Sequence, residues 1–219
     1  KVGPGTPCGE FMRRYWQPVG VAAEVTTRPK NLRILGEDLI LFRDGAGRVG
    51  VLHARCAHRG TTLYYGKVDE KGIRCCYHGW QFDVEGRCTD QPCEPGGGLH
   101  RDRVRQPWYP VQDLYGLVFT YMGPPEKKPV IPRWDIMEDL GPDEKYFPTT
   151  TSGFTPVSDN PVETLPCNWL QDFENVMDPF HVPILHVSHS GRGGGFAPTL
   201  AIMPEVSFEE TEQIGRAHV

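Results

Sequence analysis

Two short stretches of this sequence carry its first candidate metal ligands: Cys56-Ala57-His58-Arg59-Gly60 and Cys75-Cys76-Tyr77-His78-Gly79-Trp80-Gln81-Phe82. Each stretch pairs a cysteine with a histidine, and 16 residues separate the first pair from the second. A glycine follows each pair, which allows the backbone to approach a bound group closely. A [2Fe–2S] cluster held by two thiolates and two imidazoles takes one cysteine and one histidine from each of two neighbouring loops. The pattern therefore predicts a cluster on Cys56, His58, Cys75 and His78.

Two other interpretations of these residues are open from the sequence. A structural Zn²⁺ site also accepts two cysteines and two histidines, although a single residue between Cys56 and His58 is unusual spacing for a zinc finger. Cys76 could replace Cys75 as the ligand. The Cys-x-x-His spacing favours Cys75, and we expect Cys76 to be a neighbour that faces the core.

The two segments resemble the cluster loops of the Rieske non-haem iron oxygenases. In bc-type Rieske proteins each loop carries an extra cysteine, and the two cysteines form a disulfide. Here Arg59 follows His58, so the resemblance is to the oxygenase type, which lacks that disulfide. The resemblance implies a mostly antiparallel β Rieske domain followed by the start of an α+β helix-grip catalytic domain.

The resemblance extends to segments outside the cluster loops. Gly5 to Val19, Pro107 to Gln112 and Tyr115 to Phe119 resemble the corresponding parts of phthalate-dioxygenase-like oxygenases. That subgroup acts on aromatic carboxylates as homotrimers without a separate small subunit. A homotrimer and a small aromatic, carboxylated substrate are therefore expected by resemblance, and composition indicates neither.

A second set of candidate metal ligands follows a predicted helix from Asn168 to Asp178. His181 and His186 are five residues apart, which would place them 140° apart on an unbroken helix. Pro183 lies between them and interrupts a helix, so the second ring can turn towards the first. Two histidines and one carboxylate leave open positions on a mononuclear Fe(II). Taken alone, such a pair is more often an ordinary helix end.

The same family's mononuclear iron motif matches Glu174, Asp178, His181 and His186. By resemblance, Asp178 is the bridging aspartate that links an iron ligand such as His181 to a cluster histidine of a neighbouring subunit. The family's third iron ligand is an aspartate far along the chain, and no acidic residue here lies where the motif puts it. We therefore expect this chain to contain only a fragment of the catalytic domain, with an incomplete Fe(II) site.

Composition narrows the class of protein. The 219 residues carry a formal net charge of −5, which argues against nucleic acid as a partner because phosphate binding needs a basic surface. No apolar run reaches the length of about 20 residues that a membrane helix needs, and the first residues lack an apolar signal-peptide core. Seven cysteines, two of them paired with histidines, favour metal binding over disulfides. These features predict a cytoplasmic protein.

Turn signals and apolar runs divide the chain into four segments. We assign an N-terminal segment (1–18), a Rieske domain (19–122), a proline-rich linker (123–134) and an incomplete catalytic domain (135–219). Within the Rieske domain, strands are predicted at Leu39–Phe42, Val49–Ala54, Ile73–Cys75, Trp80–Asp83, Val104–Tyr109 and Leu117–Tyr121. A short helix is predicted over residues 10–16 and one more strand over Leu200–Phe208.

Together these features predict the terminal oxygenase of a multicomponent system. A flavin or iron–sulfur reductase, or a ferredoxin, would supply electrons that originate from NAD(P)H. The cluster would pass them through Asp178 to the Fe(II) site, where O₂ hydroxylates or demethylates the aromatic substrate. The alternative is a Rieske-type electron-transfer module without oxygenase activity, which would have no use for the Asp178, His181 and His186 pattern.

Overall fold

The computed structural model of the protein describes residues 1–144, 168–189 and 202–207. The chain divides into two compact units, Lys1–Pro161 and Val162–Val219. The described part of the first unit consists mainly of short antiparallel strands, and that of the second contains helices. The mostly antiparallel β domain predicted from the sequence is therefore confirmed.

The first unit contains three antiparallel sheets. The strands are β1 (Trp16–Val21), β2 (Lys30–Ile34), β3 (Glu37–Arg43), β4 (Val49–His53), β5 (Lys67–Asp69), β6 (Gly72–Arg74), β7 (Gln81–Phe82), β8 (Cys88–Asp90), β9 (Trp108–Tyr109), β10 (Val111–Leu114) and β11 (Leu117–Tyr121). Their orders are β1-β11-β10, β2-β3-β4-β9 and β5-β6-β7-β8.

The sheet that contains β3 and β4 is buried on both of its faces. Successive side chains of a strand point to opposite faces, and the run Leu39–Phe42 is apolar at every position. Ile40 and Phe42 belong to one buried cluster, whereas Leu39 and Leu41 belong to another. A strand that is buried on both faces is uniformly apolar, which explains why this run has no alternation.

The two buried clusters connect the central sheet to the other two. One cluster joins Leu39 and Leu41 to side chains of β1 and β11, including Val19 and Val118. The other cluster joins the opposite face of the central sheet to the sheet β5-β6-β7-β8 through Ile73, Phe82 and Cys88, and it includes Cys56 and Cys75. The two candidate cysteine ligands thus lie at the edge of a well-packed apolar core.

The N-terminal helix lies earlier than the sequence predicted. Helix α1 spans Pro7–Met12 and begins after Thr6, whose hydroxyl accepts a hydrogen bond from the Gly9 amide. The prediction of residues 10–16 was wrong because Trp16 begins β1. A threonine N-cap followed by proline at the first helical position is the usual start of a helix, and this signal outweighs the apolar spacing of residues 10–16.

Two further strand predictions are wrong over part of their length. Only Trp108–Tyr109 is a strand within the predicted segment Val104–Tyr109, because Pro107 has no N–H to donate to a neighbouring strand and the Gln106 amide donates to the Gly86 carbonyl in a turn. Residues 202–207 contain no strand, and the rest of the predicted strand Leu200–Phe208 lies outside the described residues. The segment 123–144 contains a 3-10 turn, Pro125–Lys127, and a short helix α2, Asp135–Glu138.

In the second unit, helix α3 spans Trp169–Val176, close to the predicted range. Asn168 caps it: its side chain accepts a hydrogen bond from Leu170, and the Gln171 side chain accepts one from the Asn168 amide in return. A separate π-helical segment spans Val182–His189 and contains Pro183. In the part of the chain that the structure describes, no helix is both long and apolar enough to cross a membrane.

Candidate iron–sulfur centre

The first candidate loop joins β4 to the segment before β5 and is closed by its own backbone. The Cys56 carbonyl accepts a hydrogen bond from the Gly60 amide at 2.9 Å, and the Cys56 amide donates to the Thr61 carbonyl at 2.9 Å. Gly60 adopts a left-handed φ of +71°, which L side chains disfavour. The Arg59-Gly60 pair therefore turns the chain back immediately after His58.

The second loop joins β6 to β7 and repeats this hydrogen-bond pattern. The Cys75 carbonyl accepts from the Gly79 amide at 3.1 Å, and the Cys75 amide donates to the Trp80 carbonyl at 2.8 Å. Gly79 has a φ of +73°. Each loop therefore fixes a cysteine at its start and a glycine four residues later, so that the two cysteines enter the site in the same local geometry.

The structure pairs the two predicted cysteine ligands with each other and the two predicted histidine ligands with each other. Cys56 and Cys75 are buried, and their thiols hydrogen-bond to each other. The rings of His58 and His78 lie with centroids 4.6 Å apart, and both histidines are half-buried. The thiols thus lie on the core side and the imidazoles on the solvent side of one compact group.

Cys75, and not Cys76, belongs to this group. Cys75 is buried, whereas Cys76 is exposed. The expectation that Cys76 faces the core is therefore wrong. Cys76 lies in the turn that follows β6, where its side chain is at the surface.

The electrostatics of the group are set by burial. Burial and, to a smaller extent, the neighbouring Cys75 thiol raise the pKa of the Cys56 thiol, whereas hydrogen bonds from the His58 and Arg59 backbones lower it, and the net pKa is about 11. Burial and the adjacent His78 lower the pKa of His58. The histidine is therefore neutral at pH 7, and the cysteine becomes a thiolate only when a cation replaces its proton.

Aromatic side chains hold the two histidines in place. The Trp80 indole stacks on His58 with centroids 4.4 Å apart and planes within 4° of parallel. The Tyr77 ring contacts the His78 ring at 3.8 Å. Glu94 Oε1 lies 3.9 Å from His58 Nε2, so a carboxylate faces the outer nitrogen of this ring. In the sequence, Trp80 and Tyr77 appear only as part of the motif, and no pattern indicates Glu94.

Arg74, the last residue of β6, fixes the second loop from the side. Its Nη1 donates hydrogen bonds to the Gly79 carbonyl and to Asp90 Oδ2, both at 2.7 Å. Its Nη2 donates to Gln81 Oε1 at 3.2 Å. The sequence carries no signal for this role beyond the position of Arg74 directly before Cys75.

The second candidate site is described only in part. The Asp178 side chain accepts a hydrogen bond from the Phe180 amide at 2.9 Å, and the His181 ring lies against the Asp178 carbonyl. His186 lies within the π-helical segment. Glu205 is exposed. Within residues 1–144, 168–189 and 202–207, no group of three or more His, Cys, Asp or Glu side chains is arranged to hold a metal ion.

A family model for the Rieske [2Fe-2S] domain matches residues 15–110. The chain is 58% identical over 212 residues to the phenoxybenzoate dioxygenase subunit alpha of Ectopseudomonas oleovorans. The matched residues make up 96% of this chain and 51% of that protein. Residues 15–110 belong to the Rieske [2Fe–2S] domain family. The resemblance stated from the motifs is thus confirmed, and the cofactor of the matched domain is a [2Fe–2S] cluster.

Two further similarities agree with this family. The oxygenase subunit of tert-butanol monooxygenase / tert-amyl alcohol desaturase from Aquincola tertiaricarbonis is 47% identical over 186 residues, covering 85% of this chain and 37% of that protein. A crystal structure of dicamba monooxygenase bound to dicamba superposes with a TM-score of 0.52 at 27% identity, over 58% of this chain and 40% of that chain. The chain thus spans 51% and 37% of the lengths of these two curated relatives.

The residues at the first site fit a cluster of this kind. The donor set is two sulfurs and two neutral imidazoles, and each iron of such a cluster takes only two protein ligands. The two cysteines form one such pair, and the two histidines form the other. The family also implies a mononuclear Fe(II), for which the described residues supply the Asp178–His181 contact and no complete ligand set.

Proposed function

We propose that Cys56, His58, Cys75 and His78 hold the Rieske cluster, with the cysteines on the buried iron and the histidines on the outer one. The observation that supports this proposal is the convergence of two buried thiols and two half-buried imidazoles from two loops with the same backbone pattern. When bound, such a cluster accepts and releases one electron at a time. The half-buried histidines give an electron donor access to it, while the core excludes water from the cysteines.

The protein is the terminal oxygenase component of a multicomponent system. Its cluster domain receives electrons from a flavin or iron–sulfur reductase or from a ferredoxin, and O₂ is the oxidant. This proposal rests on the similarity to oxygenase subunits along 96% and 85% of this chain. By resemblance to phthalate-dioxygenase-like oxygenases, the protein would be a homotrimer. Its location would be the cytoplasm, where NAD(P)H and reduced thiols are available.

The second half of the proposal concerns the mononuclear Fe(II). His181 and His186 are its protein ligands, and Asp178 is the bridging residue. The Asx-type turn at Asp178 and the contact between its carbonyl and the His181 ring place these two residues side by side at the end of helix α3. A metal-bound histidine usually donates its second N–H to an oxygen acceptor, and Asp178 is in position to supply one.

The proposed substrate is a small aromatic compound with a carboxylate. It is supported by the 58% identity to a phenoxybenzoate dioxygenase subunit, whose name contains an aromatic carboxylate. The relative named for tert-butanol is less similar, at 47% identity, and favours a branched aliphatic alcohol as the second candidate. The reaction on the aromatic substrate would be a hydroxylation or demethylation that consumes O₂ and two electrons.

An assay of O₂ consumption with a reductase and NADH tests this proposal. The protein containing this chain should consume O₂ with an aromatic carboxylate, and the variant Asp178→Asn should lose that activity while its cluster is still reduced by the reductase. Product formation from tert-butanol and not from the aromatic acid would replace the substrate proposal. Reduction of the cluster without O₂ consumption on either substrate would favour the electron-transfer module.

A further inference from the structure

Gln106 connects the segment between β8 and β9 to the first cluster loop. Its side chain is fully buried and lies 49 residues from the nearest loop residue that it contacts. The side-chain amide donates to the carbonyls of His53 and Arg55, both at 2.7 Å. Its oxygen accepts a hydrogen bond from the Ala57 amide at 2.8 Å.

These contacts use both N–H donors of the glutamine side chain and one acceptor site of its carbonyl oxygen. Gln106 thus hydrogen-bonds to the backbone on both sides of Cys56: to two carbonyls before it and to one amide after it. An unsatisfied buried backbone group costs about 1–3 kcal/mol. A leucine or methionine at this position would leave three such groups without partners.

The position of Gln106 is itself fixed by a close backbone contact. The Gln106 amide donates to the Gly86 carbonyl at 2.7 Å. A Cβ at Gly86 would lie 2.0 Å from the Gln106 carbonyl oxygen, so only glycine allows this approach. The turn between β7 and β8, which follows the second cluster loop, thereby supports the residue that holds the first loop.

The direction of the Ala57 amide determines which amides face the cysteine. Because the Ala57 N–H points to Gln106, the next two amides, of His58 and Arg59, are left to hydrogen-bond to the Cys56 sulfur. Hydrogen bonds to cluster sulfurs stabilise the more negative, reduced state and raise the reduction potential. They also tune ligand strength and retention of the metal.

We propose that Gln106 is a positioning residue for the cluster: by holding the Ala57 amide, it aims the His58 and Arg59 amides at the Cys56 sulfur and so sets the reduction potential and the retention of the cluster. This inference rests on the ligand assignment proposed above. It concerns a residue outside both motif segments, and it predicts an effect on the cluster that a purely structural role would not produce.

The test compares Gln106→Met, which keeps the size of the side chain and removes its hydrogen bonds, with Thr120→Val. Thr120 is also fully buried, and its hydroxyl donates to the Pro110 carbonyl at 3.0 Å in the sheet β1-β11-β10. The control therefore removes a buried hydrogen bond away from the cluster loops. Gln106→Asn, which is too short to reach both sides of the loop, serves if Gln106→Met does not accumulate.

Each protein is purified anaerobically, and its iron and sulfide content, reduction potential, EPR spectrum and rate of iron release to a chelator are measured. For the Gln106 variants we expect a lower potential, shifted EPR g values and iron release faster by about tenfold or more, the usual scale for loss of an outer-shell contact. Thr120→Val should keep the potential and spectrum of the unmodified protein even if its melting temperature falls.

The inference is overturned if the Gln106 variants keep the potential, spectrum and release rate of the unmodified protein, or if Thr120→Val changes them equally. A second set of results would also count against the inference. In this case neither Gln106 variant accumulates, Thr120→Val accumulates normally, and iron release from the unmodified protein does not change under conditions that open the loop. The role of Gln106 would then be structural. If the unmodified protein contains no sulfide, the ligand assignment itself fails, which is a distinguishable result.

Discussion

Replacing Arg74 with methionine tests whether the second cluster loop depends on its side contacts. Methionine keeps most of the aliphatic stem and removes the hydrogen bonds to the Gly79 carbonyl and to Asp90. A hydrogen bond from a charged donor contributes about 1.5–3 kcal/mol. The pair with Asp90 adds little, since both side chains are about a third exposed, at 31% and 39%, and surface pairs contribute about 0–1 kcal/mol.

The expected loss is therefore about 2 kcal/mol, which corresponds to a fall in melting temperature of about 4–8 °C for a domain of this size. The assay is the loss of cluster absorbance on heating at one fixed scan rate, because cluster loss makes unfolding irreversible. Arg33→Met is the matched control: Arg33 forms an ion pair with Asp38 at 2.5 Å, but the two side chains are 69% and 64% exposed. That variant should melt within about 2 °C of the unmodified protein.

The reasoning would be refuted if Arg74→Met melted no lower than Arg33→Met. It would also be refuted if Arg74→Met lost stability without faster release of iron, because the Gly79 carbonyl lies within the loop that holds Cys75 and His78. A large effect in both assays would show that the loop is stabilised from its flank as well as by its own backbone.

Two further predictions concern positions outside the ligand set. Gly86→Ala should lower the melting temperature more than Gly47→Ala. Both glycines have left-handed φ values, +72° and +86°, but of the two only Gly86 would place the new Cβ against a backbone oxygen. Equal effects on the melting temperature would contradict the contact between Gly86 and Gln106. Burial and the hydrogen bond to Glu37 raise the pKa of Tyr109. A pKa that is raised in the folded state contributes stability at pH values below the unfolded pKa of about 10, and this stability is lost as the pH rises above it. The difference in stability between the unmodified protein and Tyr109→Phe should therefore be largest at pH 8 and shrink above pH 10. Melting curves of both proteins between pH 8 and pH 11 check this, and a constant difference would contradict it.

The sequence predicted those parts of the fold that depend on neighbouring residues. The uniformly apolar run Leu39–Phe42 and the following turn at Asp44 identify the central hairpin, because a strand buried on both faces needs apolar side chains throughout. The Cys-x-His and Cys-x-x-His pairs identify the loops of the site for a similar reason: their geometry is closed within five or six residues by the glycine turns.

The contacts that hold these loops from outside could not be predicted from the sequence. Gln106 and Arg74 act through hydrogen bonds to backbone atoms, and a backbone acceptor leaves no side-chain pattern in the sequence. Gln106 also lies within a segment whose β-branched and aromatic residues favour a strand, so the propensity of its neighbours was misleading. Tertiary contacts overrode local propensity at that position.

The identity of the cysteine in the second loop illustrates the same limit. Spacing favoured Cys75, but it also suggested that Cys76 lies in the core, and the structure places Cys76 at the surface. β6 ends at Arg74, so Cys76 lies in the turn that follows the strand. The spacing of the cysteines and histidines does not reveal where the strand ends, and therefore it does not reveal which cysteine is exposed.

The most direct test of the ligand assignment is the iron and acid-labile sulfide content of the protein, with the EPR spectrum of its dithionite-reduced form, compared between Cys75→Ser and Cys76→Ser. The account predicts two irons and two sulfides for the [2Fe–2S] cluster, with the low average g value of a Rieske centre, in the unmodified protein and in Cys76→Ser, and their loss in Cys75→Ser. Retention of the signal in Cys75→Ser, or one zinc and no sulfide in the unmodified protein, would contradict it.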